Sequence, residues 1–189
     1  MSRYFSSRYL FCVALCIAAL GGCSPPNYDA RFRADLSAPY QLASGDRLRV
    51  IVFGQEQLTN SFSVDGAGNI AMPLIGIVHV QGLTPERTQG VIEARLRDGF
   101  LRDPKVSVEV EAFRPFYVLG EVGIAGQYPF VNGMTVQNAV AIAGGFSPRG
   151  FKDYVDLTRI IAGRPATASV PLTFPLRPGD TITVRERIF

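Results

Sequence analysis

The sequence predicts an α+β protein made of two small, mostly-β units, each with one helix packed on strands. Three observations carry this reading. Short apolar or alternating runs recur at close spacing, bounded by Gly, Pro, Asn and Asp, which is the pattern of strands and turns. Two stretches combine a capping residue with helical apolar spacing. Those two stretches fall in different sets of strands, with residues 112–115 between them as a junction.

The chain opens with Arg3 and Arg8, then an apolar run over residues 9–20, then Gly21, Gly22 and Cys23. A charged start, an apolar middle and small residues before a cut form a secretory signal. The run of about 12 residues falls short of the roughly 20 that span a bilayer as a helix. Residues 1–22 are therefore expected to be removed. An ordinary signal peptide followed by a chance cysteine is the plain reading of this stretch, and a cysteine set deliberately at the cut is the other. Residues 23–39 hold Pro25, Pro26 and Pro39 without clear periodicity and are expected to be a polar tether.

From Tyr40 the character changes. Residues 47–53 alternate and then turn fully apolar, as a strand does. Residues 61–64 alternate, Asp65 to Asn69 form a glycine-rich turn, and residues 70–74 return, which is a hairpin signal. Residues 76–80 make a further short strand. Thr84 can cap a helix, Pro85 suits its first position, and Glu86 complements the dipole. That helix carries Val91, Ile92 and Leu96 on one face and ends near Gly99; Gly90 inside it costs about 1 kcal/mol relative to Ala. Pro104 precedes an alternating strand over residues 106–111, with valines inward.

Beyond the junction the sequence predicts a strand at 116–119 and a short helix capped by Thr135 and closed by Gly144 and Gly145. Strands follow at 154–161, 166–171 and 181–184. Residues 40–112 and 113–189 are the expected domains.

Removing residues 1–22 leaves 167 of 189 residues and lowers the basic count from 19 to 17 against 16 acids. A near-neutral chain gives no electrostatic footing for nucleic acid. Cys12 and Cys16 fall within the signal, so only Cys23 persists and no internal disulfide is expected. His79 is the only histidine, alternating with Val78 and Val80; a polar strand face suits it, and it has no second histidine for a metal site. No Gly-x-Ser-x-Gly elbow or phosphate loop is present. Glu109 and Glu111 read as the solvated face of a strand. Asp153, Asp156, Lys152 and Arg159 read as ordinary surface charge. Asp46 and Asp180 each follow a Gly before a strand, which suits side chain to backbone bonds in turns. Gly66, Gly68, Gly120 and Gly126 suit turn geometry. Catalytic residues, cofactors and metals are expected to be absent.

In order, these segments resemble the Wza-type outer-membrane polysaccharide export lipoproteins. The resemblance rests on Leu20-Gly21-Gly22-Cys23, Tyr40 to Leu48 with Gly45-Asp46, and Val64-Asp65-Gly66-Ala67-Gly68-Asn69-Ile70. It continues through Pro73-Leu74-Ile75-Gly76, Gly82-Leu83-Thr84 and Asp103-Pro104-Lys105-Val106. In the second half it rests on Val118-Leu119-Gly120-Glu121-Val122, Gly126-Gln127-Tyr128-Pro129, Ala143-Gly144-Gly145 and Arg177-Pro178-Gly179-Asp180. The resemblance implies a polysaccharide export domain followed by one SLBB module of β-grasp-like fold. It implies that Cys23 carries N-acyl and S-diacylglycerol groups and that the protein sits at the outer membrane facing the periplasm. It further implies a ring-like homo-oligomer that passes capsular or exopolysaccharide, coupled to an inner-membrane polysaccharide co-polymerase. Residues 185–189 are too short to span a membrane, so a separate outer-membrane pore protein is an expected partner. Two other readings stand beside this one: a lipid-anchored binder of a saccharide or small ligand through its SLBB module, and a structural periplasmic adaptor.

Overall fold

The computed structural model of the protein describes residues 30–187. The expected signal, Cys23, the first part of the tether, Ile188 and Phe189 lie outside the described residues. Three α-helices and ten strands are present among the described residues, an α+β fold as the sequence predicts.

The first strands build a three-stranded antiparallel sheet in which β1 (Arg47–Val52) lies between β2 (Asn60–Ser63) and β5 (Val106–Ala112). The pleat sends Leu48, Val50 and Val52 to one side, where they are fully buried. The same pleat leaves Arg47 and Arg49 exposed. Val108 stands opposite Val50, and Val106 opposite Val52, so the apolar faces of the two strands coincide. A separate hairpin joins β3 (Asn69–Met72) and β4 (Gly76–His79), with Ile70 facing Val78. Asp65 shapes the preceding turn by accepting from the Ala67 and Asn69 N–H groups at 2.9 and 2.8 Å. Helix α2, the second in the chain, spans Pro85–Arg97 and packs on β5. Thr84 caps it by accepting from the Arg87 N–H, and Arg95 and Arg97 sit in its last turn, favourable for the dipole. Ile92 and Leu96 are buried while Val91 is only partly so. Glu93 accepts the Val106 N–H at 3.0 Å, stitching α2 to β5. Thr88 is also buried on this helix, and its hydroxyl has no hydrogen-bond partner among the described residues.

The second unit is a five-stranded mixed sheet ordered β7-β6-β10-β8-β9. Its members are β6 (Phe116–Gly120), β7 (Gly126–Tyr128), β8 (Tyr154–Ile161), β9 (Arg164–Pro171) and β10 (Thr181–Val184). Strand β10 is parallel to β6 and antiparallel to β8, so the first and last strands of the unit are central neighbours. Helix α3 (Val136–Ile142) crosses between β7 and β8; Thr135 caps it, and Asn138 returns the bond to the Thr135 N–H. Order, parallel centre and crossing helix together define a β-grasp. Strand β7 lies outside the sequence reading; three residues offer too little alternation to be seen. Its outer counterpart β9 carries Pro165 and Pro171, neither of which can donate to a neighbour.

The segment expected to be a tether departs from that expectation at its end. Residues Ala30–Ser37 form helix α1. Phe32 is 1% exposed and meets Phe174 edge to face at 6.3 Å, inside the core of the second unit, and Leu36 packs against the same core. One apolar pair spaced by four residues suffices to dock a short helix, but is too sparse to stand out among prolines and charges. The chain therefore touches the second unit first, crosses to build the first unit, and returns through residues 113–115.

Candidate functional site at the domain junction

Each unit places a Gly-Asp turn immediately before its central strand. In the first, the Asp46 N–H donates to the Ala43 carbonyl at 3.1 Å, with Gly45 at φ 92°. In the second, the Asp180 N–H donates to the Arg177 carbonyl at 3.2 Å, with Gly179 at φ 86°. Positive φ at the third position is what Gly supplies in such turns. The side chains repeat the pattern. Asp46 Oδ2 accepts the Ala43 N–H at 2.8 Å, and Asp180 Oδ2 accepts the Arg177 N–H at 2.8 Å. Both carboxylates are 0% exposed.

The expectation of turn-stabilising bonds thus holds for both aspartates, yet each does more. Asp46 also accepts the Tyr40 hydroxyl at 2.6 Å, the Arg114 backbone N–H at 2.9 Å and the Arg114 guanidinium at 3.3 Å. Arg114 Nη1 donates to the Tyr40 oxygen as well, at 2.9 Å. Burial, with the bond to Asp46 second, pushes the Tyr40 hydroxyl far above its usual range, so it stays a donor. Asp180 accepts Arg159 Nε at 2.8 Å and Nη2 at 2.7 Å, a bidentate pair. Arg159 continues through Nη1 to Asp35 of α1 at 2.9 Å, and its guanidinium lies within 6 Å of the Phe32 and Phe174 rings. Burial favours the neutral form of Arg159, but the bonds and charges of Asp180 and Asp35 outweigh it and hold the guanidinium charged. Burial raises Asp180, and the same arginine opposes that rise.

Arg159 is a correction to the sequence reading. It is 4% exposed, not surface charge. The signal was present in the phase of β8, where Val155, Leu157 and Arg159 occupy successive inward positions. Asp156 is partly buried and pairs with Arg185 and Ser169, whereas Lys152 and Asp153 are exposed as expected.

Arg114 stands where the two turns meet. A Cβ on Gly179 would lie 2.7 Å from Arg114 Nε, and one on Gly45 would lie 3.4 Å from Arg114 Cβ. Around this joint opens a cleft of about 580 Å3. Its walls are Asp35, Ala38 and Pro39 from the α1 end, Tyr40 to Ser44 and Gln81 from the first unit, and Ile160, Ala162 and Arg177 from the second.

The other sequence candidates lie elsewhere. His79 is exposed and its Nδ1 is 2.9 Å from Asn69 Oδ1. Glu109 and Glu111 face solvent on β5. Gly68 and Gly120 have positive φ; Gly66 holds its turn without left-handed backbone, and Gly126 departs from the turn expected for it by opening β7 opposite Val118. No group of three or more His, Cys, Asp or Glu able to hold a metal ion occurs among the described residues. No helix among them is long and apolar enough to cross a membrane. Cys23 lies outside the described residues.

The two units correspond to known families. Residues 34–111 match the family model of polysaccharide biosynthesis/export proteins, and residues 115–168 match that of the SLBB domain. The chain belongs to the polysaccharide export family built from these two domains in this order. The SLBB match stops before β10, although β10 is the centre of that sheet.

Relatives agree. The chain is 30% identical over 134 residues to the exopolysaccharide production protein ExoF of Rhizobium meliloti, covering 62% of this chain and 32% of that protein. It is 28% identical over 190 residues to the EPS I polysaccharide export outer membrane protein EpsA of Ralstonia nicotianae, covering 80% and 48%. It is 29% identical over 121 residues to the polysialic acid transport protein KpsD of Escherichia coli, covering 62% and 21%. The chain thus spans between about a fifth and a half of the length of these relatives.

Proposed function

We propose that this protein is an outer-membrane lipoprotein that forms the periplasmic part of a conduit for capsular or exopolysaccharide. The observation that carries the reading is the pair of family domains in export order, in a chain whose relatives are named for polysaccharide export and transport. A conduit has to guide a hydrated polymer without holding it, so many weak polar contacts serve better than one tight site. Copies joined head to tail would close a ring by rotation. Cys23 would hold the chain to the membrane through its N-acyl and S-diacylglycerol groups, since several acyl chains make a lasting anchor where one does not. An inner-membrane co-polymerase would deliver polymer, and a separate outer-membrane pore protein would continue the path. The protein itself would catalyse no reaction.

Deleting the gene and measuring surface polymer tests the reading. Loss of secreted polysaccharide with synthesis intact is the expected result; unchanged secretion would sink it. Replacing Cys23 with Ser should release the protein from the membrane fraction and impair secretion.

A second reading, a lipid-anchored binder of a saccharide or small ligand, is favoured by the open cleft at the junction. A receptor would remain monomeric in detergent, whereas the conduit predicts a ring.

A further inference from the structure

The cleft at the junction has a lining whose charge is fully spent and whose hydrogen-bonding capacity is not. Arg114 is matched by Asp46, Arg159 by Asp180 and Asp35, and Arg177 by Asp35 at 3.4 Å, while its Nη2 donates to the Ala38 carbonyl at 2.7 Å. The wall itself carries three arginines and two aspartates, and Asp46, buried behind Arg114, supplies the third carboxylate, so no net charge remains to attract an ion. Each of two arginines keeps N–H groups that none of the described residues accepts: Arg114 uses Nη1 and its backbone N–H, and Arg177 uses Nε, Nη2 and its backbone N–H. Between them the cleft presents Gln41, Ser44 and Gln81, whose side chains make no hydrogen bond to the described residues. Pro39, Ile160 and Ala162 supply apolar wall, and Ile160 is 62% exposed there.

Size and position suit a small ligand, since such sites occupy about 300–1,000 Å3 and favour domain interfaces. The chemistry narrows the class. Amides, a hydroxyl and spare guanidinium N–H groups beside aliphatic surface match a molecule with many hydroxyls around an apolar ring face. Paired cations discriminate against dense negative charge, because each guanidinium at the cleft already has a carboxylate beside it. We propose that the junction cleft is a binding site for a short, hydroxyl-rich saccharide segment bearing little or no charge.

Three parts of the chain contribute to it, and the site exists only while α1 is docked, because Asp35, Ala38 and Pro39 form one wall. The assignment rests on the export reading for the identity of the polymer, and on the lining alone for the ligand class. Its occupancy would couple polymer contact to the angle between the two units, since both Gly-Asp turns border the same space.

The test uses the full acylated chain in a detergent without a sugar headgroup, titrated by calorimetry with maltotetraose, cellotetraose and tetragalacturonate. Saturable, weak binding of a neutral tetrasaccharide is expected, with the same affinity at low and high salt. The exposed pair Gln41→Ala and Gln81→Ala leaves the core untouched. It should weaken that binding about tenfold, as expected for two neutral hydrogen bonds. Failure of both neutral probes to bind, binding indifferent to the double variant, or tighter binding of tetragalacturonate that collapses with salt would each overturn the site. The export reading is decided separately: unchanged polymer secretion on gene deletion defeats it whatever the titration gives, and absent binding with secretion lost on deletion defeats the site alone.

Discussion

Asp46 binds Arg114 twice, accepting its backbone N–H at 2.9 Å and its guanidinium at 3.3 Å across 68 residues of sequence. One carboxylate thereby fixes both where the chain leaves the first unit and where it enters the second. The two bonds predict unequal losses. Asp46→Ala strands the Tyr40 hydroxyl and two backbone N–H groups, and should cost about 3 kcal/mol, as breaking a buried pair does. Arg114→Ala takes the cation from a buried carboxylate but leaves it three neutral donors, the Tyr40 hydroxyl and two backbone N–H groups, so it should cost less, about 2 kcal/mol. Urea unfolding of both single variants and the double variant measures this. Equal losses would mean that the guanidinium, not the backbone, is what Asp46 holds.

Helix α1 belongs in packing to the unit it does not adjoin in sequence. Phe32→Ala should cost about 3 kcal/mol, since it empties a fully buried aromatic site. Hydrogen exchange should quicken in β8, β9 and β10 while β1 and β5 stay protected. Protection lost first in β1 and β5 would contradict the placement of Phe32.

Asp65 gives the hairpin turn a pH dependence. Bonds from the Asn69 N–H, and then the Ala67 N–H, hold its carboxyl below the ordinary carboxylate range. An acid whose folded value is depressed lends stability above its unfolded value, near 4, and loses it as pH falls through the folded value. Asp65→Ala should therefore be less stable than the parent at pH 7. Thermal melts at decreasing pH should bring the two together as pH falls through and below the ordinary carboxylate range. A gap that persists undiminished at pH 2 would show that the turn depends on shape and not on charge.

Thr88 buries a hydroxyl with no partner among the described residues. Thr88→Val replaces it with a methyl group of similar shape and should stabilise by about 1 kcal/mol. For a chain of this size that raises Tm by about 2–4 °C. A lower Tm would imply that the hydroxyl is satisfied by water.

Most strands and both longer helical signals were legible because their information is local: the phase of β1, the cap at Thr84, the cap at Thr135. Strand β8 matched at both ends, since eight residues of alternation bounded by turns leave little choice. The joint was legible only in part. Gly45-Asp46 and Gly179-Asp180 announced turns, and turns they are. Nothing local says that Arg114 will lie between them, because that contact joins residues far apart in sequence. Arg159 was misread because charge was weighed ahead of phase. Helix α1 was missed because one phenylalanine and one leucine acquire meaning only once Phe174 is in place opposite them.

The prolines of β9 reach beyond the strand that holds them. One flank of the five-stranded sheet ends in a strand with Pro165 and Pro171 near its two ends, and the other flank is only three residues long. Neither flank offers a full ladder to an incoming backbone. Neighbouring molecules that meet at this unit must do so by side chains, as stones in a wall meet at their faces. A wall of that kind could be taken down and rebuilt without any molecule losing its shape, and these two edges disfavour its growth into a fibre by strand addition.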